Sequence, residues 1–344
     1  MAVMLTKTTG EAPVPLADLL AGLKAAGEAT RLRILALLAA GDLTVKDLTE
    51  ILAQSQPRVS RHLKLLTEAA LIERFPEGAW VYYRLARDGR GAVVVRQILA
   101  ALDGEDAVLA RDGARLAAVK AAHREAAARY FSANAETWDR LRSLHAPEAA
   151  VEAAVRSVLG ETPVQALLDV GTGTGRMLEL LAPLAVRAVG IDLSHDMLSV
   201  ARVRLAEAGL HHVQVRHGDV YDVQVPAGSF DLVVIHQVLH YLDDPARAIR
   251  EAARALAPGG RLLVVDFAPH DIEALRESHA HRRLGFSHDE VAGWLEAAGL
   301  DVAAIRDLSG AGAKAQPLTV TLWLAADRRM LMADAAAGAA LERA

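Results

Sequence analysis

The sequence predicts two domains: an α+β domain with a helix-turn-helix and a β-hairpin, then an α/β domain built on a parallel sheet. Three observations predict this. The 344-residue length suits about two domains. Residues 16–86 read as short amphipathic helices followed by two β-rich segments. From residue 164 apolar strands alternate with helices, the pattern of a parallel sheet with right-handed crossovers.

Composition narrows the possibilities. Hydrophobic residues make up 52% and aromatics only 4%, so both halves can bury a core rich in helix. There is no cysteine, which excludes a disulfide framework, a thiolate metal site and a cysteine nucleophile. The start shows no apolar run of signal-peptide length, and no stretch approaches the ~20 apolar residues that span a bilayer. A cytoplasmic protein with no membrane partner is expected. Net charge is -5, yet residues 1–100 carry 13 Lys and Arg against 10 Asp and Glu. A local basic surface near the amino terminus is compatible with that balance.

Along the first domain, residues 16–39 carry apolar residues at helical spacing, broken by Gly22 and Gly27. Thr44 caps a helix over 45–53, with Asp47 completing a capping box. Ser55 opens the next helix, where Pro57 is tolerated in the first turn. Val59, Leu63 and Leu66 share its apolar face, and residues 54–67 contain no acid. Two strands, LIERF and AWVYYRL, follow as a hairpin. Helix, turn, helix and hairpin is the winged-helix order, whose second helix enters the major groove of double-stranded DNA. Gln54, Gln56, Arg58, Ser60, Arg61, His62 and Lys64 are the candidate DNA-binding residues. Arg reads guanine bidentately and Gln suits adenine.

The stretch SQPRVSRHLKLLTEAALIERFPEGAWVYYRL resembles the recognition helix and wing of the ArsR/SmtB family, and GEATRLRILALLAAGDLTVKDLTEIL its preceding helices. That resemblance implies a repressor that binds operator DNA as a homodimer, through helices near 16–26 and 90–102. The family's metal sites are not matched. Asp42 to Asp47 replaces the usual cysteine pair, and residues 89–102 hold no histidine. No metal is expected.

Residues 91–158 read as nearly continuous helix, interrupted near Gly104, Gly113 and Pro147. Val93, Val94, Ile98, Leu99 and Leu102 are candidates for a dimer or interdomain seam. The expected boundaries are 1–90 for the winged helix, 91–128 for a helical connector, 129–326 for the second domain and 327–344 for a tail.

In the second domain VQALLDV is followed by Gly171, Gly173 and Gly175, which let backbone approach a ligand closely. Arg176 stands where a dinucleotide fingerprint needs glycine or alanine, which weakens a nicotinamide-nucleotide reading. Asp169 suits a ligand ammonium group and would repel a pyrophosphate. DVGTGTG resembles the first motif of class I methyltransferases, a Rossmann-like fold, and later matches follow in order. The resemblance implies S-adenosylmethionine (SAM) or S-adenosylhomocysteine (SAH) as ligand. Asp192 would meet the ribose hydroxyls, Asp219 the adenine amino group with Val220 beside it, and Leu193 and Met197 the adenine faces. His236 and Tyr130 would lie near the methyl group, and Phe131 and Trp138 are further aromatic candidates.

No catalytic residue is assigned. His236, Gln237, His240, Tyr241 and His281 are near the expected methyl face. Thiol-dependent arsenite methylation is excluded. Two functions stay open: a regulator whose second domain senses SAM or SAH, and a small-molecule methyltransferase that carries a DNA-binding domain.

Overall fold

The computed structural model describes residues 13–77, 80–135, 148–210, 212–309 and 318–328. The chain divides into two units, Met1–His123 and Arg124–Ala344.

The first unit begins with α1 (Leu16–Ala26) and α2 (Ala29–Leu38). A two-residue strand, β1 (Leu43–Thr44), leads into α3 (Val45–Leu52), and α4 (Gln56–Glu68) follows. The capping box forms as expected: the Thr44 side chain accepts from Asp47 N, and the Asp47 carboxylate accepts from Thr44 N at 3.0 Å. Ser55 occupies the N-cap of α4 without a side-chain capping bond. Val59, Leu63 and Leu66 are fully buried, so the apolar face of α4 lies in the core. β2 (Ile72–Glu77) and β3 (Trp80–Leu85) form the antiparallel hairpin. β1 adds to it through Leu43 opposite Tyr83, a pairing too short for periodicity to announce.

α5 (Gly89–Ala100) closes this unit. Val94 and Val95 are buried in its core, with Ile98 and Leu99 packed beside them. A Cβ on Gly91 would stand 1.9 Å from the Ala70 carbonyl oxygen, so only glycine permits this approach.

α6 (Ala107–Asn134) begins in the first unit and ends in the second. It runs through Gly113 without a break, contrary to the sequence expectation. Glycine costs only about 1 kcal/mol in a helix interior, and its neighbours anchor the turn. Arg33 Nη2 donates to Asp112 Oδ1 at 2.7 Å, and Arg115 Nη1 donates to the Ile51 carbonyl at 3.1 Å.

The second unit contains α7 (Glu148–Leu159), β4 (Val164–Val170), α8 (Arg176–Leu181), β5 (Ala185–Asp192) and α9 (His195–Glu207). β6 (Val213–His217), β7 (Phe230–His236), α10 (Pro245–Ala255) and β8 (Leu256–Phe267) follow. α11 (Ala274–His279), α12 (His288–Ala297), β9 (Leu300–Ser309) and β10 (Thr319–Asp327) complete it. The strands form one seven-stranded sheet ordered β6-β5-β4-β7-β8-β10-β9. Pairs from β6 to β8 are parallel, while β10 is antiparallel to both β8 and β9. This is the Rossmann-like arrangement expected, with the closing strand pair ordered so that the last strand inserts before β9.

Two apolar cores cover the two faces of the sheet. Leu168, Val170, Ile249 and Trp323 belong to one, and Leu167, Leu178, Val234 and Leu263 to the other. β5 and β7 flank β4 on opposite sides. A crevice therefore opens beyond their carboxyl ends, where open α/β sheets bind ligands. The ends of these strands carry Asp169, Asp192 and His236.

Candidate functional site

A cleft sits at that crevice, enclosing about 1060 Å³ of space including its open mouth. Asp169, Gly171, Gly173, Asp192, Leu193, Met197, Asp219, Val220 and His236 all line it. Sequence reasoning named each of these nine.

The loop after β4 is built for close approach. Gly171, Gly173 and Gly175 all have positive φ, the left-handed region that glycine reaches without penalty. A Cβ on Gly171 would meet Val238 Cγ2 at 2.5 Å. Gly171 N and Thr172 N both donate to the Ile191 carbonyl, at 2.9 and 2.8 Å, which ties the loop to β5. Gly175 does not line the cleft; it is the N-cap residue of α8.

The carboxylates are oriented by the protein itself. Asp169 is buried and its Oδ2 accepts from Thr172 Oγ1 at 2.6 Å. Asp192 Oδ2 accepts from Gly173 N and its Oδ1 from Ser194 N, both at 2.8 Å. Burial pushes the Asp192 carboxyl above the ordinary range, against these backbone donors. Asp219 Oδ1 accepts from Tyr221 N at 2.9 Å. Asp243 also lines the cleft, and among the described lining residues there is no Lys or Arg. A pyrophosphate would be repelled here, whereas the ammonium group and ribose hydroxyls of a ligand can donate to these carboxylate acceptors. The residues present therefore fit SAM.

Arg176, in the position that weakened the dinucleotide reading, points to structure. Its Nε and Nη2 pair with the two Glu152 oxygens at 2.7 and 2.8 Å, and Nη1 reaches Glu179 at 2.8 Å. It clips α7 to α8.

The aromatic candidates separate. Phe131 lines the cleft, as do Ala127 and Ala128 from the same helix. Tyr130 does not; its hydroxyl lies 2.7 Å from His279 Nδ1. One step of the helix turns the two side chains apart. Trp138 lies outside the described residues. Met177, Tyr221 and Asp243 were not singled out, although Asp243 lies in the stretch FDLVVIHQVLHYLDDP, which resembles the family's fourth-strand segment, and Tyr221 directly follows Asp219 and Val220. Gln237 has φ 53° and lines the cleft, and its N–H donates to the Val265 carbonyl at 2.7 Å. The same left-handed conformation occurs at Ala53 and Ala280, which are helix C-caps.

On α4, Gln56, Arg58, Ser60, Arg61 and Lys64 are exposed. The other two DNA candidates turn inward. Gln54 Nε2 donates to Thr30 Oγ1 at 3.2 Å, and His62 Nδ1 lies 3.5 Å from Glu28 Oε2. Gln54 precedes the N-cap of α4, and His62 lies on the helix itself. Among the described residues no group of three or more metal-ligating side chains occurs, and no helix is long and apolar enough to cross a membrane.

Comparison with known proteins agrees with both halves. Residues 28–74 match the family model of bacterial regulatory proteins of the arsR family, and residues 168–264 match that of a methyltransferase domain. The chain is 34% identical over 158 residues to ubiquinone biosynthesis O-methyltransferase of Xanthomonas axonopodis pv. citri, covering 42% of this chain and 64% of that one. It is 36% identical over 141 residues to a Mycolicibacterium smegmatis protein named a probable S-adenosylmethionine-dependent methyltransferase, covering 40% and 52%. The crystal structure of the YcgJ protein from Bacillus subtilis superposes with a TM-score of 0.44 at 21% identity, over 52% of this chain and 98% of that one. The chain spans about half the length of the curated relatives it matches. It joins an arsR-family helix-turn-helix domain to a class I methyltransferase-fold domain.

Proposed function

We propose that this chain is a DNA-binding transcriptional regulator of the repressor type, whose methyltransferase-fold domain binds SAM or SAH as a ligand sensor. The observation that carries the reading is the presence, in one chain, of an outward-facing basic helix and a carboxylate-lined cleft. Exposed Arg58, Arg61 and Lys64, with Gln56 and Ser60, supply base and phosphate contacts to operator DNA. Asp192 holds the ribose, Asp219 the adenine amino group and Asp169 the ammonium group of the ligand. α6 supports coupling, because it carries Asp112 and Arg115 at one end and the cleft residues Ala127, Ala128 and Phe131 at the other.

The regulator acts as a cytoplasmic homodimer without a metal. Leu16, Leu19, Leu20 and Leu23 are 80, 38, 47 and 49% exposed and recur on one face of α1. Such a stripe on a soluble unit is the mark of an interface. Val94, by contrast, is spent in the unit's own core.

The alternative is an active small-molecule methyltransferase carrying a DNA-binding domain, and the names of the relatives favour it. Calorimetric titration of the purified chain with SAM and with SAH, in the presence and absence of DNA from its own promoter, separates the two. The sensor reading expects DNA to change the affinity of at least one ligand about 5–150-fold. Affinities that DNA leaves unchanged put the enzyme reading in front.

A further inference from the structure

α3, the helix that precedes the recognition helix, is held near both ends by side chains of α6. At its amino end the Asp47 carboxylate completes the capping box, its Oδ2 accepting from Thr44 N at 3.0 Å and from Thr44 Oγ1 at 2.7 Å. Its Oδ1 faces α6, with His123 Nε2 at 3.7 Å. At the carboxyl end the Ile51 carbonyl accepts from Arg115 Nη1 at 3.1 Å. That bond satisfies one of the carbonyls a helix end leaves open. Arg115 and His123 stand about two helical turns apart. Asp112 with Arg33, and Lys120 Nζ donating to the Ala40 carbonyl at 2.8 Å, key the same half of α6 into the first unit. Leu116 and Val119 are buried in that unit's core.

The other half of α6 belongs to the cleft. Ala127, Ala128 and Phe131 line it, and the Phe131 ring meets that of Tyr241 edge-on with centroids 4.8 Å apart. His123, beside α3, and Ala127, in the cleft wall, are one turn apart on the same helix. Ala122, Glu125 and Ala126 on this joining turn are exposed. The Glu125–Arg129 pair at 2.9 Å is a surface ion pair, which adds little. The order of the turn therefore rests largely on the helix to either side of it.

We infer that this single turn is the coupling element of the sensor, and that His123 is the positioning residue that passes cleft occupancy to the capping box of α3. The inference rests on the sensor reading of the cleft and adds its route. An occupant packed against Ala127, Ala128 and Phe131 favours the helical state of the residues that carry them. Helix formation is cooperative, so the gain extends through the joining turn. It fixes His123 beside Asp47, and with it the start of α3, from which the chain passes into α4. With the cleft empty the turn opens more often, and α6 holds α3 at the Ile51 end alone. The two states differ in order rather than in shape, which is sufficient to couple two sites. The exposed face of α4 takes no part in the switch itself; it reads DNA from a scaffold that the ligand tightens.

The test uses the full chain, DNA from its own promoter, and SAM and SAH as probes at concentrations that calorimetry shows to be saturating. In the wild type at least one of them is expected to slow amide hydrogen exchange across 121–131 and 44–48, and to change operator affinity about 5–150-fold. Ala122→Gly with Ala126→Gly removes two exposed methyl groups and weakens the joining turn. The ratio of operator affinities with and without ligand is expected to fall to about 1 in this variant. His123→Ala is expected to lose the ratio as well, while ligand still protects 124–131, a separation that general unfolding does not produce. Ala117→Gly with Ala118→Gly, equally exposed but on the keyed half of α6, is expected to keep the ratio. A wild-type ratio in the first glycine pair or in His123→Ala overturns the inference, and so does equal loss in both glycine pairs. Failure of both probes to bind the wild type, or bound probes that leave its operator affinity unchanged, overturns the sensor reading first and this inference with it.

Discussion

The recognition helix and the cleft solve opposite problems. On α4 the apolar side is locked, with Val59, Leu63 and Leu66 fully buried, while the side chains of Arg58 and Arg61 are exposed to solvent. In the cleft the polar groups themselves are locked. Asp169, Asp192 and Asp219 each already accept a hydrogen bond from the protein. Long free side chains let one helix follow a polymer, and their ordering is paid when DNA binds. A small ligand offers too few contacts to meet such a cost, so its site is ordered in advance. Changes on α4 should therefore alter binding alone, and changes in the cleft should alter both binding and local order.

The largest effect is expected at Asp192. Asp192→Ala removes a charge-assisted acceptor worth roughly 1.5–3 kcal/mol for each ribose hydroxyl. It also releases Gly173 N and Ser194 N. Calorimetry should show a sharp loss of SAM affinity, with hydrogen exchange rising across 171–175. Wild-type affinity would refute the placement of the ribose.

Next comes the double substitution Arg58→Ala and Arg61→Ala. Each base-reading arginine is worth ~1–3 kcal/mol of discrimination. Operator affinity should fall while thermal stability and ligand affinity stay at wild-type values. A drop in stability would mean that these side chains are not free, and the comparison would fail on that side.

A pH effect should follow in the second unit. Burial pushes His270 down to about 4 from the ordinary 6.5. Above pH 6.5 the ring is neutral in folded and unfolded chains alike, so nothing is lost. Below 6.5 the unfolded chain binds a proton that the folded one refuses, so stability falls until about pH 4. At ~1.4 kcal/mol per pH unit the loss reaches about 3 kcal/mol at most. Urea midpoints measured across this range should decline for the wild type and flatten in His270→Gln.

The smallest effect belongs to Thr44→Ala. Breaking the capping box should cost about 1 kcal/mol, confined to the first unit. Differential scanning calorimetry should show the first transition lowered. SAM affinity should be untouched.

Much of this was legible from residues. The strand-end carboxylates Asp169 and Asp192 and the glycines between them sit in a motif whose spacing constrains the backbone. The recognition helix was legible from its apolar positions and from the absence of acids. What was not legible depended on partners distant in sequence. Gln54 and His62 turn inward because Thr30, in the first turn of α2, and Glu28, its N-cap, lie within reach. Tyr130 leaves the cleft because His279 lies within reach of its hydroxyl. β1 exists only through its pairing with β3, and the unbroken α6 depends on Arg33 holding Asp112 beside Gly113. Propensity carries none of these terms.

The central claim, that ligand occupancy of the cleft is read out on α4, is met most directly by operator affinity. Fluorescence anisotropy with the full chain at fixed salt would compare no ligand, saturating SAM and saturating SAH. The account predicts that at least one ligand changes operator affinity by about 5–150-fold, a coupling of ~1–3 kcal/mol. Three equal affinities, with SAM and SAH shown to be bound, would contradict it.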